Sequence, residues 1–206
     1  LTFELVTHSE LEDIRLTLVL INNPNINAFA VPGGIIGVHT GIFTHADNED
    51  QLASIISHEI AHLSQRHFAR GLESKRNSNY INLAGLLATI IVSSKAGADA
   101  GMAALSATQA IAADQQLRYS RNNEKEADRL GLKIMQNAGR DPAASAEMLE
   151  KMMALTRYKG SRLPEFLLTH PMTEKRVSDT RSRALKYQNR HYSDNFDYYI
   201  MQARSQ

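Results

Sequence analysis

The pentapeptide His58-Glu59-Ile60-Ala61-His62 constrains this chain more than any other feature, because it lies inside an amphipathic pattern. From Glu49 onward, Leu52, Ile55, Ile56, Ile60 and Leu63 recur at three- and four-residue spacing, the stripe of a helix with one face in a core. Asp47 or Asn48 is available as its N-cap. In such a helix residues four apart share a face, so His58 and His62 can aim ring nitrogens at one ion. Glu59, about 100° around the axis, can reach a water at the same ion. Two ligands do not close a catalytic zinc site, so the fold must bring a third from elsewhere.

His67 follows His62 by five residues, a rotation of about 140° on a continuous helix, which points it off the ligand face. It reads as a polar helix residue. Cysteine is absent, which excludes thiolate ligands, thiol nucleophiles and disulfide scaffolds. The remaining supply is a carboxylate on a second helix, and Asn123-Glu124-Lys125-Glu126-Ala127-Asp128 offers Glu124, with Asp128 on the same face one turn later. Asp128 could accept a hydrogen bond from the outer nitrogen of a ligating histidine and fix its tautomer. Taken alone, this acidic segment would be a solvated helix face; its pairing with the histidine motif promotes it.

The rest of the chain predicts an α+β fold, mostly helical, with a small sheet preceding the histidine-bearing helix. Arg15–Ile21 reads as a strand stopped by Asn22-Asn23-Pro24-Asn25. Ala28–Val31 and Ile35–Thr40 are further strands, separated by Pro32-Gly33-Gly34. Helices are expected near 102–137, 142–157 and 172–189, punctuated by Gly139 with Pro142 and by Gly160 with Pro164. No internal repeat or low-complexity linker divides the chain. We expect a single domain over 1–206: a sheet region to about 45, ligand-carrying helices over 46–137, and a helical C-terminal region over 138–206.

Hydrophobic residues make up 43% of the chain, enough for a packed core. Lys and Arg total 23 against 22 Asp and Glu, so no global field draws the chain to nucleic acid. The apolar run Ile81–Val92 is shorter than the roughly 18 residues a span needs. It reads as a buried or lid-like helical hairpin, with membrane contact as the alternative. No signal peptide opens the chain; because residue 1 is Leu, we read it as a trimmed piece or a mature product.

In order, Phe29-Ala30-Val31-Pro32-Gly33-Gly34, His58-Glu59-Ile60-Ala61-His62 with Ser64-Gln65-Arg66-His67, Ser120-Arg121-Asn122-Asn123-Glu124-Lys125-Glu126-Ala127-Asp128, and Thr169-His170-Pro171 with Arg176 resemble the HtpX and CAAX-prenyl-protease family of zinc peptidases. The resemblance runs from about Leu16 to about Ala203. It is strongest to the family's soluble periplasmic branch, whose members continue into tetratricopeptide repeats after a segment like Phe196-Asp197-Tyr198-Tyr199.

The resemblance implies a zincin-like, gluzincin domain with one Zn²⁺ on His58, His62 and Glu124. Glu59 would be its catalytic carboxylate, and Asp128 would be grouped with it at the family's acidic position. It also implies a plug near 161–172 whose His170 occupies the fourth coordination position; the plainer alternative is a histidine capping the turn before Pro171. Arg176 would pair with a site carboxylate or stabilise an oxyanion. By analogy with zincins, the strand Ile35–Thr40 would be an exposed edge that holds extended peptide. Asn27, Phe29, Ile36 and Val38 are then candidate substrate contacts, although an aromatic in a strand such as Phe29 is more often core. The implied activity is endopeptidase cleavage of misfolded outer-membrane β-barrel proteins in the periplasm, with the β-barrel assembly machinery as partner. A non-cleaving chaperone with a structural or blocked zinc site is the rival reading.

Overall fold

The computed structural model describes residues 1–158, 164–187 and 195–205. Residues 161–163 of the expected plug and the last turn of the expected 172–189 helix lie outside them. The chain gathers into two compact units, one made of 1–66 with 124–206 and the other of 67–123. Neither sequence division, near 45 or near 137, coincides with a boundary between these units.

In the first unit a short helix, α1 (Thr2–Val6), precedes β1 (Thr17–Ile21), β2 (Ala28–Val31) and β3 (Ile35–His39). The first strand starts two residues later than expected because Asp13 accepts a hydrogen bond from the Arg15 amide at 3.1 Å, turning the chain there. Strand order is β1-β3-β2, with β3 parallel to β1 and antiparallel to β2. The expected exposed edge at 35–40 is thus the centre of the sheet, its backbone groups taken on both sides.

Ile36 and Val38 are buried in the core, which corrects their assignment as substrate contacts. Phe29 pairs in register with Gly37, and a Cβ placed on that glycine would come within 2.3 Å of the ring. The phenyl group therefore lies across the glycine, packed on the sheet and half-buried.

Thr40 follows β3 and stands at the N-cap of α2 (Gly41–His45), one residue beyond the strand's end at His39. The histidine-bearing helix is α3 (Glu49–Ser64), capped by Asn48, whose side chain accepts from the Gln51 amide at 2.9 Å. Its stripe buries Leu52, Ile55, Ile56 and Ile60, in one core with Ile36, Val38, Met135, Met148 and Met152. Each such side chain contributes roughly 1.5–3 kcal/mol by leaving water.

Helix α3 stops because Arg66 adopts a left-handed φ of 51°. His67 therefore opens a new helix, α4 (His67–Ala96), instead of extending the ligand helix by another 140°. Helix α5 (Ala98–Asn137) carries the acidic segment and ends at Gly139, where φ is 74°. Arg140, just beyond, binds Glu49, Asp50 and Glu4, tying α1 and the start of α3 to this turn. Helices α6 (Ala143–Tyr158), α7 (Glu165–Thr169), α8 (Glu174–Ala184) and α9 (Phe196–Arg204) complete the first unit, with a 3-10 turn at Leu185–Tyr187.

The second unit is the hairpin of α4 and the first part of α5, reversing at Gly97 with φ of 91°. Its arms approach so closely that a Cβ on Gly85 would fall 2.1 Å from Thr108. The run 81–92 lies in α4 with Leu83, Leu86, Leu87, Ile90 and Ile91 exposed. Among the described residues no helix is long and apolar enough to cross a membrane.

Candidate metal centre

Close helix packing assembles the centre. Gly131 on α5 sits against the backbone of α3, where an added Cβ would meet the amide nitrogen of His58 at 3.3 Å. A side chain there would need α3 to give by a few tenths of an ångström; Glu124 and Asp128 lie one turn apart on the same face of α5. The segment leaving α7 then brings His170 to the same point.

One donor atom from each of His58, His62, Glu124 and His170 lies within 4.8 Å of all the others. His58 Nε2 is 3.0 Å from His62 Nε2 and 3.3 Å from His170 Nδ1. Glu124 places Oε1 3.4 Å from His62 Nε2 and Oε2 3.1 Å from His170 Nδ1. Donors bound to zinc at about 2.0–2.1 Å in a tetrahedron stand about 3.3 Å apart, so this cluster has the size and donor chemistry of a four-coordinate zinc site.

The surroundings orient the donors. Asp128 Oδ1 lies 3.1 Å from His58 Nδ1, the nitrogen turned away from the cluster. Asp128 in turn receives Arg176 Nε at 2.7 Å and Nη2 at 2.8 Å, a two-pronged buried pair. Arg176 Nη1 reaches Glu124 Oε2 and the Pro171 carbonyl, each at 2.9 Å. Asp128 is therefore a positioning residue acting through His58, which corrects its placement among the catalytic groups. Arg176 is spent on the carboxylates and on Pro171; the ion-pair expectation fits this arrangement and the oxyanion role does not.

Burial opposes the imidazolium of His58, yet the hydrogen bonds it donates to Asp128 and Glu124 raise its pKa to about 10. A proton there competes with a metal ion for the ring. Burial also opposes the charge on Glu124, but hydrogen bonds from His170 and His58 hold it well below the usual carboxylate range. Asp128 is lowered by Arg176 and His58 against the same opposition.

Glu59 behaves differently. It is 1% exposed, and burial raises its affinity for a proton despite the nearby His170 and His58. A backbone hydrogen bond from Ala30 on β2 steadies the carboxylate. Its Oε1 has no hydrogen bond among the described residues and lies 3.4 Å from His170 Nε2. A carboxyl tuned toward neutrality beside a polarising centre suits proton transfer.

His170 thus faces the donor cluster through Nδ1 and Glu59 through Nε2. Phe166 stacks on its ring at a centroid distance of 4.5 Å and an interplanar angle of 27°. Glu165 accepts from Asn27 Nδ2 at 3.0 Å, and the Phe166 amide approaches the Ile26 carbonyl at 3.5 Å. Asn27 thereby holds α7 in this arrangement. The strand beside Glu59 is β2, not β3. Sequence reasoning missed Phe166 and the Ala30 amide; neither belongs to a spacing pattern, and only the fold brings them to the site.

The model of peptidase family M48 matches residues 3–184. The chain is 40% identical over 205 residues to the beta-barrel assembly-enhancing protease of Escherichia coli K12, covering 100% of this chain and 42% of that protein. It is 40% identical over 185 residues to the protein of the same name from Yersinia pestis, covering 90% of this chain and 38% of that one. To the mitochondrial metalloendopeptidase OMA1 of Arabidopsis thaliana it is 33% identical over 168 residues, covering 82% and 31%. The chain spans about two fifths of the length of the bacterial relatives. With a matching family model over most of its length and these relatives, the chain belongs to peptidase family M48.

Proposed function

We propose that this chain is a zinc endopeptidase domain, latent at rest, whose ligands are His58, His62 and Glu124 and whose catalytic carboxylate is Glu59. The observation that carries the reading is the convergence of the donors at zinc-site spacing beside a buried carboxylate whose Oε1 lacks a hydrogen bond among the described residues. When bound, zinc would polarise a peptide carbonyl and lower the pKa of water, the chemistry of amide hydrolysis. Glu59 takes the proton of the attacking water and returns it to the departing amine. His58 is kept in one tautomer by Asp128, and Asp128 by Arg176.

His170 occupies the fourth position and contacts Glu59 at the same time, so substrate enters only when α7 and the following turn withdraw. The substrates are extended polypeptides, and the assembly-enhancing role in the bacterial relatives' name, with the family resemblance, favours misfolded outer-membrane β-barrel proteins among them. The relatives' name points to β-barrel assembly as the setting, and with the family resemblance we infer a periplasmic location and the β-barrel assembly machinery as partner.

Zinc content and cleavage of an unfolded protein, measured for wild type, Glu59→Gln and His170→Ala, test this. Glu59→Gln is expected to keep one zinc per chain and lose about 10²–10⁴-fold in cleavage rate. His170→Ala is expected to cleave faster than wild type. Unchanged cleavage in Glu59→Gln would sink the mechanism, and a zinc-loaded His170→Ala variant that cuts nothing would favour the non-cleaving chaperone.

A further inference from the structure

Ser54, His58, Asp128, Arg176 and Thr180 share an otherwise mostly apolar, partly open cavity of about 30 Å³. A water needs at least about 10–15 Å³ by this measure, together with two to four polar partners. Thr180 is 1% exposed, and its Oγ1 has no hydrogen-bond partner among the described residues. A helical threonine commonly returns its hydroxyl to the carbonyl four residues back, here that of Arg176, but this bond is not made. A buried hydroxyl left without a partner is costly, so the cavity it lines is where its partner belongs.

Arg176 lies one turn before Thr180 on the same face of α8. Of the five guanidinium N–H groups, Nε and one on Nη2 donate to Asp128 and one on Nη1 donates to Pro171, while Nη1 also forms an ion pair with Glu124. The second Nη2 hydrogen has no hydrogen-bond partner among the described residues, and Arg176 lines the cavity.

We propose that this cavity binds a single ordered water, held by Thr180 Oγ1 and the remaining Nη2 hydrogen of Arg176. Thr180 is then a positioning residue: through the water it fixes the guanidinium, which fixes Asp128, which fixes the ring of His58. The water site stands on the cavity and the orphaned hydroxyl; its consequence for metal retention rests on the zinc reading above.

Thr180→Val keeps the shape of the side chain and removes the hydroxyl, whereas Thr180→Ser keeps the hydroxyl. Zinc release from the loaded full chain to a chromophoric chelator separates them. Direct hydrogen-bond partners of ligating histidines typically govern metal affinity by 10–100-fold, so Thr180→Val, two links further out, is expected to release zinc about three- to tenfold faster. Thr180→Ser is expected to release it at the wild-type rate. Equal rates in all three proteins would overturn the positioning role, as would a serine variant as fast as the valine one.

A crystal structure of the wild type tests the water separately, with a density peak expected within hydrogen-bond distance of Thr180 Oγ1 and Arg176 Nη2. A hydroxyl turned onto the Arg176 carbonyl with no such peak would overturn the site. A wild type that takes up no zinc would overturn the zinc reading and the positioning role together, while the density map still decides the water.

Discussion

The two compact units of this chain solve the problem of apolar side chains in opposite ways. In the unit made of 1–66 and 124–206, the stripe of α3, the inner face of β3 and the methionines of α5 and α6 close into one core. In the 67–123 hairpin, Leu83, Leu87, Ile90, Met102 and Ile111 are exposed, and Val92 and Leu105 are only half-buried. Both sequences read as helix, yet only the first unit's helices present their stripes to one another. A helical pattern specifies the element; a core requires that several stripes converge. The metal centre belongs to the unit where they do.

The contrast breaks most easily at Arg176. Its removal leaves Asp128 and Glu124 buried without their cation, and breaking a buried pair this way typically costs about 3–5 kcal/mol. Urea unfolding of Arg176→Ala checks this, and a loss below about 1 kcal/mol would show that the pair is not a structural element of the first unit. Next comes Met135→Ala, in a fully buried side chain, expected to lose about 2–5 kcal/mol in the same assay.

Zinc removal should follow. At free zinc 100-fold above its dissociation constant, binding to the native state alone stabilises it by about 2.7 kcal/mol. For a domain of this size that corresponds to a Tm drop of about 5–10 °C on chelation. Hydrogen exchange should then rise in α3 and in α5 beyond residue 123, with 83–96 unchanged; equal deprotection of both units would mean that they unfold together. The smallest effect is expected from Ile90→Ser, a substitution at a side chain 59% exposed, within about 0.5 kcal/mol of wild type. A loss of several kcal/mol there would show that the hairpin's apolar surface is covered in solution.

The core follows the same division between local and distant information. Leu52, Ile55, Ile56 and Ile60 were legible because the period of a helix is written in consecutive residues, as were the cap at Asn48 and the stop at Gly139. The break at Arg66 was not, since a left-handed residue other than glycine carries little sequence signal. Nor was the order of the strands: Ile35–Thr40 has the composition of any half-buried strand, and which side it pairs on depends on partners remote in sequence. That single fact moved Ile36 and Val38 from candidate contacts to core and put β2 beside Glu59.

The sequence by itself determined the chemistry on offer, because His58, Glu59 and His62 on one helix, and Glu124 and Asp128 on another, are pairs set by the 3.6-residue turn. Only the tertiary structure decided how that chemistry is held. Gly131 against α3 sets the distance between the ligand helices, and Arg176 joins Asp128 across 48 residues. His170 enters on a ring stacked by Phe166. These contacts join segments that no periodicity relates, and it took the closing of one core to bring them to the same few ångströms.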